Sequence, residues 1–424
     1  MLLEDWLEEL KKILETESFD SSRSRDAKLF LVRLHELMLD APPEIRTPYG
    51  LLKEPDIEKE MLVWDSNLSR APTKLPIGIM DLSQEQKALV LAGIIRACDL
   101  IVAGASRGPT TSVKEWDLGH WWMIHRKQGR ITGDVGQPYT RRGLLRHVLL
   151  KKAIRGRRVV PTPLSMQIPS KCSTRLAAAL FDNLEVVPDQ NLYPKHYVAV
   201  DLNCPNQVKV VEAQLAQARG EKHFALVWPE LTIPPHIQSQ IEADLEGAAF
   251  KEPGKNPELT VAGSWHLPDE GMPNPVSNIS AIYDKYGNCV LQYKKVVPYH
   301  DNEGNLHELI NSGNEVPVLV SDEYLVSLAI CKDLCDLSSD VAYKELNVDY
   351  VLVPSMGDEN CMQSHRANSK AMRTQRNARP FVVQQTIPAD GSGLGKVLPP
   401  IPNPMQEGLD LNVVVTFKSY AGHL

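Results

Sequence analysis

From Tyr197 onward, short apolar runs alternate with polar, helix-like stretches, and this alternation limits the possible folds more than any other feature of the chain. HYVAVDL and HFALVWPE read as strands, NQVKVVEAQLAQARG as a helix closed by Gly220, and PHIQSQIEADLEG as a helix opened by prolines. LTVAGSW, EYLVSLAICKD, VDYVLVPS, PFVVQQT and LDLNVVVTF read as further strands, and SNISAIYDKYGNCVLQYKKV as a hairpin turning at Tyr286, Gly287 and Asn288. DVAYKEL and ENCMQSHRANSKAMRTQRNA read as helices. Strands alternating with helices and then hairpins predict an α/β protein with helices covering its sheets.

The preceding residues have a different texture. Leu3, Trp6, Leu7, Leu10, Ile13 and Leu14 follow a helical period, and a second helical run follows Arg25. Residues 41–80 hold many prolines and no clear period, so they read as irregular. Ser83 to Gln86 matches a capping box, opening a helix that reaches about Ala103. Residues 104–190 mix loop, the pair Trp121 and Trp122, and a basic helix near 141–156. A chain of 424 residues exceeds one ordinary domain. The reading is a mainly helical N-terminal domain over 1–190 and an α/β domain over 191–424. Charge changes sign along the chain: −6 over residues 1–100, +9 over 101–190 and −10 over 191–424.

Seven cysteines stand at 98, 172, 204, 289, 331, 335 and 361. None forms a CxxC pair and no histidine cluster accompanies them, which argues against a disulfide framework or a structural metal. Free thiols suit a reducing cytoplasm. MLLEDWLEELKK is acidic and amphipathic and does not read as a signal peptide. The apolar stretch from Lys87 is interrupted by Arg96 and Asp99, so no membrane span is expected.

Three reactive side chains fall where apolar strands end. Glu230 ends HFALVWPE, Lys295 ends NCVLQYKK and Cys331 ends EYLVSLAIC. Each alone has a plain reading, as a solvated loop acid, an exposed hairpin lysine or a small core thiol. Together they make a coherent set. A free thiol is only a few per cent ionised near neutral pH, so a carboxylate must take its proton. A fixed cation and a backbone N–H, here that of Lys332, can then stabilise the negative charge that develops on an attacked carbonyl or nitrile.

These motifs, WPELTIP, QYKKVVPY and AICKD in that order, with VAGSW, VDYVLVPS and NARPFVVQQT between and after them, resemble the nitrilase superfamily of carbon–nitrogen hydrolases. The resemblance covers nearly all of residues 195–420. It implies an αββα sandwich of two sheets between helix layers, pairing of copies into a homo-oligomer, and catalysis without a cofactor or metal. It also implies a Glu230, Lys295, Cys331 triad acting on a small amide, carbamoyl or nitrile substrate through a thioester. It selects Lys295 over Lys294, which on a strand faces the opposite way. A second acid is expected after the lysine, with Glu308 preferred to Glu303. After the nucleophile the family's aromatic residue and Arg-Phe-Pro-Glu stretch are replaced by Lys332–Asp333–Leu334–Cys335–Asp336–Leu337–Ser338, so pocket shape and substrate are its own.

The rival reading is a nitrilase-fold binding or assembly module with little hydrolase activity, linked to nucleic acid or defence. Its strongest support is RRGLLRHVLLKKAIRGRR, which begins at Arg141, ends at Arg158 and holds eight basic residues and no acid. Without an accompanying nucleic-acid motif, docking of this stretch on the acidic domain is the preferred expectation.

Overall fold

A computed structural model describes residues 1–70, 72–105, 112–126, 143–164, 175–192, 195–269, 272–300, 306–322, 324–336, 341–386, 393–401, 405 and 409–422. The chain divides into two compact units. One holds Met1–Lys152 with Thr374–Asn377, the other Ala153–Arg373 with Ala378–Leu424.

The first unit contains helices Leu3–Thr16, Ser24–Leu39, Pro43–Leu51, Glu54–Leu68 and Gln84–Ala105. Strands Asp117–Leu118, Trp121–His125 and His147–Lys151 form a small antiparallel sheet. The expected capping box is present: Gln86 N–H donates to Ser83 Oγ at 3.2 Å, and Ser83 N–H donates to Gln86 Oε1 at 3.1 Å. The apolar helix that this box opens lies in the core, with Leu91, Ile94, Ile95 and Cys98 fully buried. Its charged residues are paired there. Arg96 donates to Gly143 O at 2.7 Å and to Glu54 Oε2 at 2.9 Å, and Asp99 accepts from the N–H groups of Leu145 and Arg146, each at 2.6 Å. Burying those charges is tolerable only because each has a partner.

In the second unit one sheet runs, in spatial order, Trp265–Asp269, Met272–Asp284, Leu259–Val261, Ala225–Val227, Arg175–Ala179 and Phe417–Ala421. Cys289–Lys294 also pairs with Met272–Asp284. The other sheet runs Asn412–Val413, Gly395–Leu398, Arg379–Gln385, Tyr350–Met356, Leu325–Leu328, Glu315–Val320, Arg157–Pro163 and Ala153–Ile154. Strand alternation fixes how they stack. Ala225 and Val227 join Leu319, Val326, Leu328, Leu352, Phe381 and Val383 of the other sheet in one buried cluster, so the sheets pack face to face. Leu226 and Trp228 point the other way, onto Val211 and Leu215 of helix Gln207–Gly220 and Ile237, Ile241 and Leu245 of helix Pro235–Lys251. On the second sheet's outer side, Ser355 Oγ lies 3.1 Å from Nε2 of His365, a residue of helix Glu359–Arg376. The layers are therefore helix, sheet, sheet, helix. Each fully buried Leu, Ile or Val contributes about 1.5–3 kcal/mol to holding them.

Several expectations need correction. The units divide after Lys152, so the expected boundary at 190/191 lies inside the second unit, where Arg157–Pro163 and Arg175–Ala179 complete the two sheets. Over the described residues 143–156 there is no basic helix: they form strands His147–Lys151 and Ala153–Ile154, and Arg155 and Gly156, both at positive φ, turn the chain into strand Arg157–Pro163. Pro161 and Pro163 fit that strand because its outer neighbour pairs only with Arg157 and Arg158, leaving the proline positions at an edge. The proline-rich 41–80 region holds two helices, since Pro43 and Pro55 occupy first-turn positions where no N–H is needed. The described part of DVAYKEL, residues 341–346, forms only a 3-10 turn, Ala342–Glu345. LDLNVVVTF splits between strand Asn412–Val413 and the start of Phe417–Ala421, which lie in different sheets.

Of the basic stretch, Arg141 and Arg142 lie outside the described residues. Lys152 pairs with Asp117 at 2.6 Å within the first unit. Arg155 pairs with Glu345 at 2.6 Å and Arg158 with Glu315, all four within the second unit. The stretch thus completes strands in both units and does not form a separate docking helix.

Candidate active site

Glu230 sits on a tight turn after strand Ala225–Val227. Leu231 has φ 53° and donates its N–H to Ser264 Oγ at 3.3 Å, and Thr232 Oγ1 donates to Pro229 O at 2.8 Å. The turn is pressed against Gly263, where a Cβ would stand 2.3 Å from Pro229 O, so no larger residue fits. Lys295 directly follows strand Cys289–Lys294, and its N–H donates to Asn278 O at 2.9 Å. The two neighbouring lysines face opposite ways: Lys294 Nζ reaches Asp269 at 3.1 Å, whereas Lys295 is 1% exposed.

The Lys295 ammonium donates to Glu230 Oε1 at 2.7 Å and to Glu308 Oε2 at 2.6 Å. Asn278 Nδ2 donates to the same two side chains, at 3.0 Å to Glu230 and 2.8 Å to Glu308. Glu308 also accepts from Tyr299 N–H at 2.7 Å and meets His266 Nε2 at 3.0 Å. Since Ala199 N–H donates to His266 Nδ1 at 2.7 Å, that nitrogen is an acceptor and the ring proton sits on Nε2, facing Glu308. Burial opposes the charge on both Lys295 and Glu308. The two carboxylates outweigh it at Lys295 and hold its pKa well above the usual range; Lys295 and His266 outweigh it at Glu308 and hold that carboxyl well below its own. Glu303 lies outside the described residues.

Cys331 lies on a strained turn after strand Leu325–Leu328, with φ 40° and ψ −98°. Few non-glycine residues adopt such a conformation, and it persists only where the surroundings enforce it. Cys331 N–H donates to Pro354 O at 2.9 Å, and Cys331 O accepts from Leu334 and Cys335 at 2.9 and 3.1 Å. Lys332 opens the short helix Lys332–Cys335, where its N–H has no helical acceptor. Asp333 links this turn to the lysine strand. Its Oδ1 accepts from Val296 and Val297 N–H at 3.0 and 2.8 Å, and its Oδ2 accepts from Tyr293 OH at 2.7 Å and Ile330 N–H at 3.1 Å.

Glu230, Lys295, Glu308, Cys331 and Lys332 line one cavity of about 520 Å³, together with Tyr197, Tyr299 and Met356. The Cys331 thiol contacts Met356 O at 3.4 Å and Cys361 Sγ at 3.8 Å. Cys335 draws its pKa down, but Cys361, burial and the Glu230 charge push it well above the usual thiol value. The sulfur therefore needs a base before it can attack.

Sequence reasoning missed His266, Asn278 and Asp333. Asn278 and Asp333 stand within the hairpin and nucleophile motifs, but their roles depend on strands brought together only by folding. It also missed that Cys335, Cys361 and His365 gather around Cys331, because the spacing is one helical turn and not CxxC.

No family model and no curated protein matches the chain. Among solved structures, the chain is similar to an amidase from Nesterenkonia sp. AN1, in a glutamate-to-glutamine form carrying the acetamide moiety of fluoroacetamide on its active-site cysteine. Identity is 18%, coverage 61% of this chain and 93% of that one, and the TM-score 0.40. A cysteine-to-serine form, described as a nitrilase-superfamily amidase, is 19% identical over 59% and 92% of the two chains with TM-score 0.38. A cysteine-to-alanine form in complex with butyramide is 18% identical over 60% and 92%, also with TM-score 0.38.

Proposed function

We propose that the second unit is a nitrilase-type carbon–nitrogen hydrolase acting on a small amide. The observation that carries this reading is the shared cavity, in which Cys331 stands with a buried lysine held between two carboxylates. In this reading Glu230 takes the Cys331 proton and the sulfur attacks the carbonyl carbon. The charge that forms on oxygen falls to the Lys295 ammonium and the Lys332 N–H; one such donor is commonly worth about 10²–10³ in rate. Glu230 then gives its proton to the departing nitrogen as the C–N bond breaks, leaving a thioester on Cys331. Water enters, Glu230 takes its proton, the thioester opens to a carboxylic acid and the thiol is restored. Glu308 and Asn278 hold Lys295 and Glu230 in register, and no step calls on a cofactor. The test is ammonia release from a panel of small amides, carbamoyl compounds and nitriles, with Cys331→Ala as control. Release that requires Cys331 supports the reading; release that survives in Cys331→Ala refutes it.

A further inference from the structure

We propose that Cys331, Cys335, Cys361 and His365 form a binding site for a thiophilic divalent cation of the zinc type, and that the bound cation masks the nucleophile. The masking clause rests on the hydrolase reading above; the binding clause does not.

The four residues come from two short segments. Cys335 follows Cys331 by four residues on the turn and helix Lys332–Cys335, and His365 follows Cys361 by four on helix Glu359–Arg376. One helical turn puts Cys361 and His365 on one face, and the Cys335 N–H, donating to Cys331 O at 3.1 Å, closes the turn that brings the other pair together. Their donor atoms all lie within 4.8 Å of one another, with Sγ–Sγ separations of 3.8 Å for Cys331 and Cys361 and 3.4 Å for Cys361 and Cys335. Tetrahedral zinc with Zn–S bonds of about 2.3 Å sets its sulfurs about 3.8 Å apart, so these thiols are already near ligand spacing. Three sulfurs and an imidazole are also a donor set that favours zinc over hard, oxygen-seeking cations.

A second observation points the same way. His365 is fully buried, and among the described residues its Nδ1 has no hydrogen-bond partner, while Nε2 meets Ser355 Oγ. A buried imidazole left half-satisfied in this way costs stability, and metal ligation is a common reason for one. Access is available, because Cys331, Cys335 and Cys361 all line the cavity described above. On binding, each ligating thiol releases its proton to solvent and gives a sulfur lone pair to the metal. Cys331 is then unavailable to attack a carbonyl carbon.

The test uses the full chain, stripped with a chelator and titrated with Zn²⁺ and, separately, Co²⁺. One equivalent should bind, and Co²⁺ should show thiolate-to-cobalt charge-transfer absorption. Loss of an outer-shell partner commonly costs about 10- to 100-fold in affinity, and Cys361→Ser or His365→Ala should each cost at least that. Zn²⁺ should protect Cys331, Cys335 and Cys361 from alkylation together, while exposed Cys289 is labelled with or without it. If no substrate is ever found, binding and protection still decide the site. If the hydrolase is active, Zn²⁺ should abolish turnover and chelator should restore it. Binding that survives intact in both variants, or cobalt spectra without the charge-transfer band, overturns the proposal. So does protection seen without metal and reversed by a thiol reductant, since that outcome replaces the cation with a disulfide.

Discussion

The carboxylate of Asp333, two residues beyond Cys331, accepts the backbone N–H of Val297, two residues beyond Lys295, at 2.8 Å. Two separate strand ends are thereby tied by one buried side chain. Asp333→Ala should leave the N–H groups of Val296, Val297 and Ile330 without an acceptor. A buried unsatisfied donor costs about 1–3 kcal/mol, so a loss of several kcal/mol is expected in urea unfolding of the second unit.

The same residue gives a pH signature. Burial pushes the Asp333 pKa up to about 6, against about 3.9 for an unfolded aspartate. The folded state therefore holds the extra proton between about pH 4 and 6. The stabilising contribution is full below pH 4 and lost as pH rises through 6, by about 3 kcal/mol. Unfolding free energies of the natural chain and Asp333→Asn, measured from pH 4 to 7, should show the natural chain's relative stability falling over that window and then levelling. A relative gain with rising pH would contradict this.

Glu308 touches Lys295, His266, Asn278 and the Tyr299 N–H. Glu308→Gln removes one of the two negative charges on Lys295 while keeping the shape. Misplacement of catalytic groups by about 1 Å can cost about 10²-fold, and a fall of that size in kcat/KM is expected, mainly in kcat. Glu230→Gln should cost about 10²–10⁴-fold, as loss of a general base does. It should also slow alkylation of Cys331 near neutral pH, which steady-state rates and peptide mapping after brief iodoacetamide treatment would read separately.

In the first unit, Gly93 on helix Gln84–Ala105 packs so tightly on helix Glu54–Leu68 that a Cβ would meet Glu60 Cγ at 2.5 Å and its backbone carbon at 3.0 Å. Alanine would gain about 1 kcal/mol of helix propensity. Overpacking costs about 1–3 kcal/mol, so Gly93→Ala should be net destabilising in thermal unfolding. A raised Tm would show that the helix pair can move apart.

Much of the second unit was legible because buried strands read as unbroken apolar runs. HFALVWPE, VDYVLVPS and PFVVQQT announce themselves, and reactive residues stand out at their ends. Arg157–Pro163 and Arg175–Ala179 were not legible. The first carries prolines acceptable only at an edge, and the second is a run of alanines with no strand signature of its own. Helices Pro43–Leu51 and Glu54–Leu68 were hidden by their prolines: Pro43 and Pro55 fit first-turn positions, while Pro48 lies inside the first helix. The cysteine and histidine group was hidden because its two halves, some thirty residues apart, meet only when the Tyr350–Met356 strand pairs beside Leu325–Leu328.

The central claim is that Cys331 carries the acyl group of the substrate. The chain should be mixed with an amide that it turns over, quenched in acid within the first turnovers, digested and mapped by mass. The expected result is an acyl adduct on the Cys331 peptide, absent in Cys331→Ala and increased when Glu230 is replaced by a residue that slows thioester hydrolysis more than its formation. An adduct on Cys335 or Cys361, or full turnover by Cys331→Ala, would contradict it.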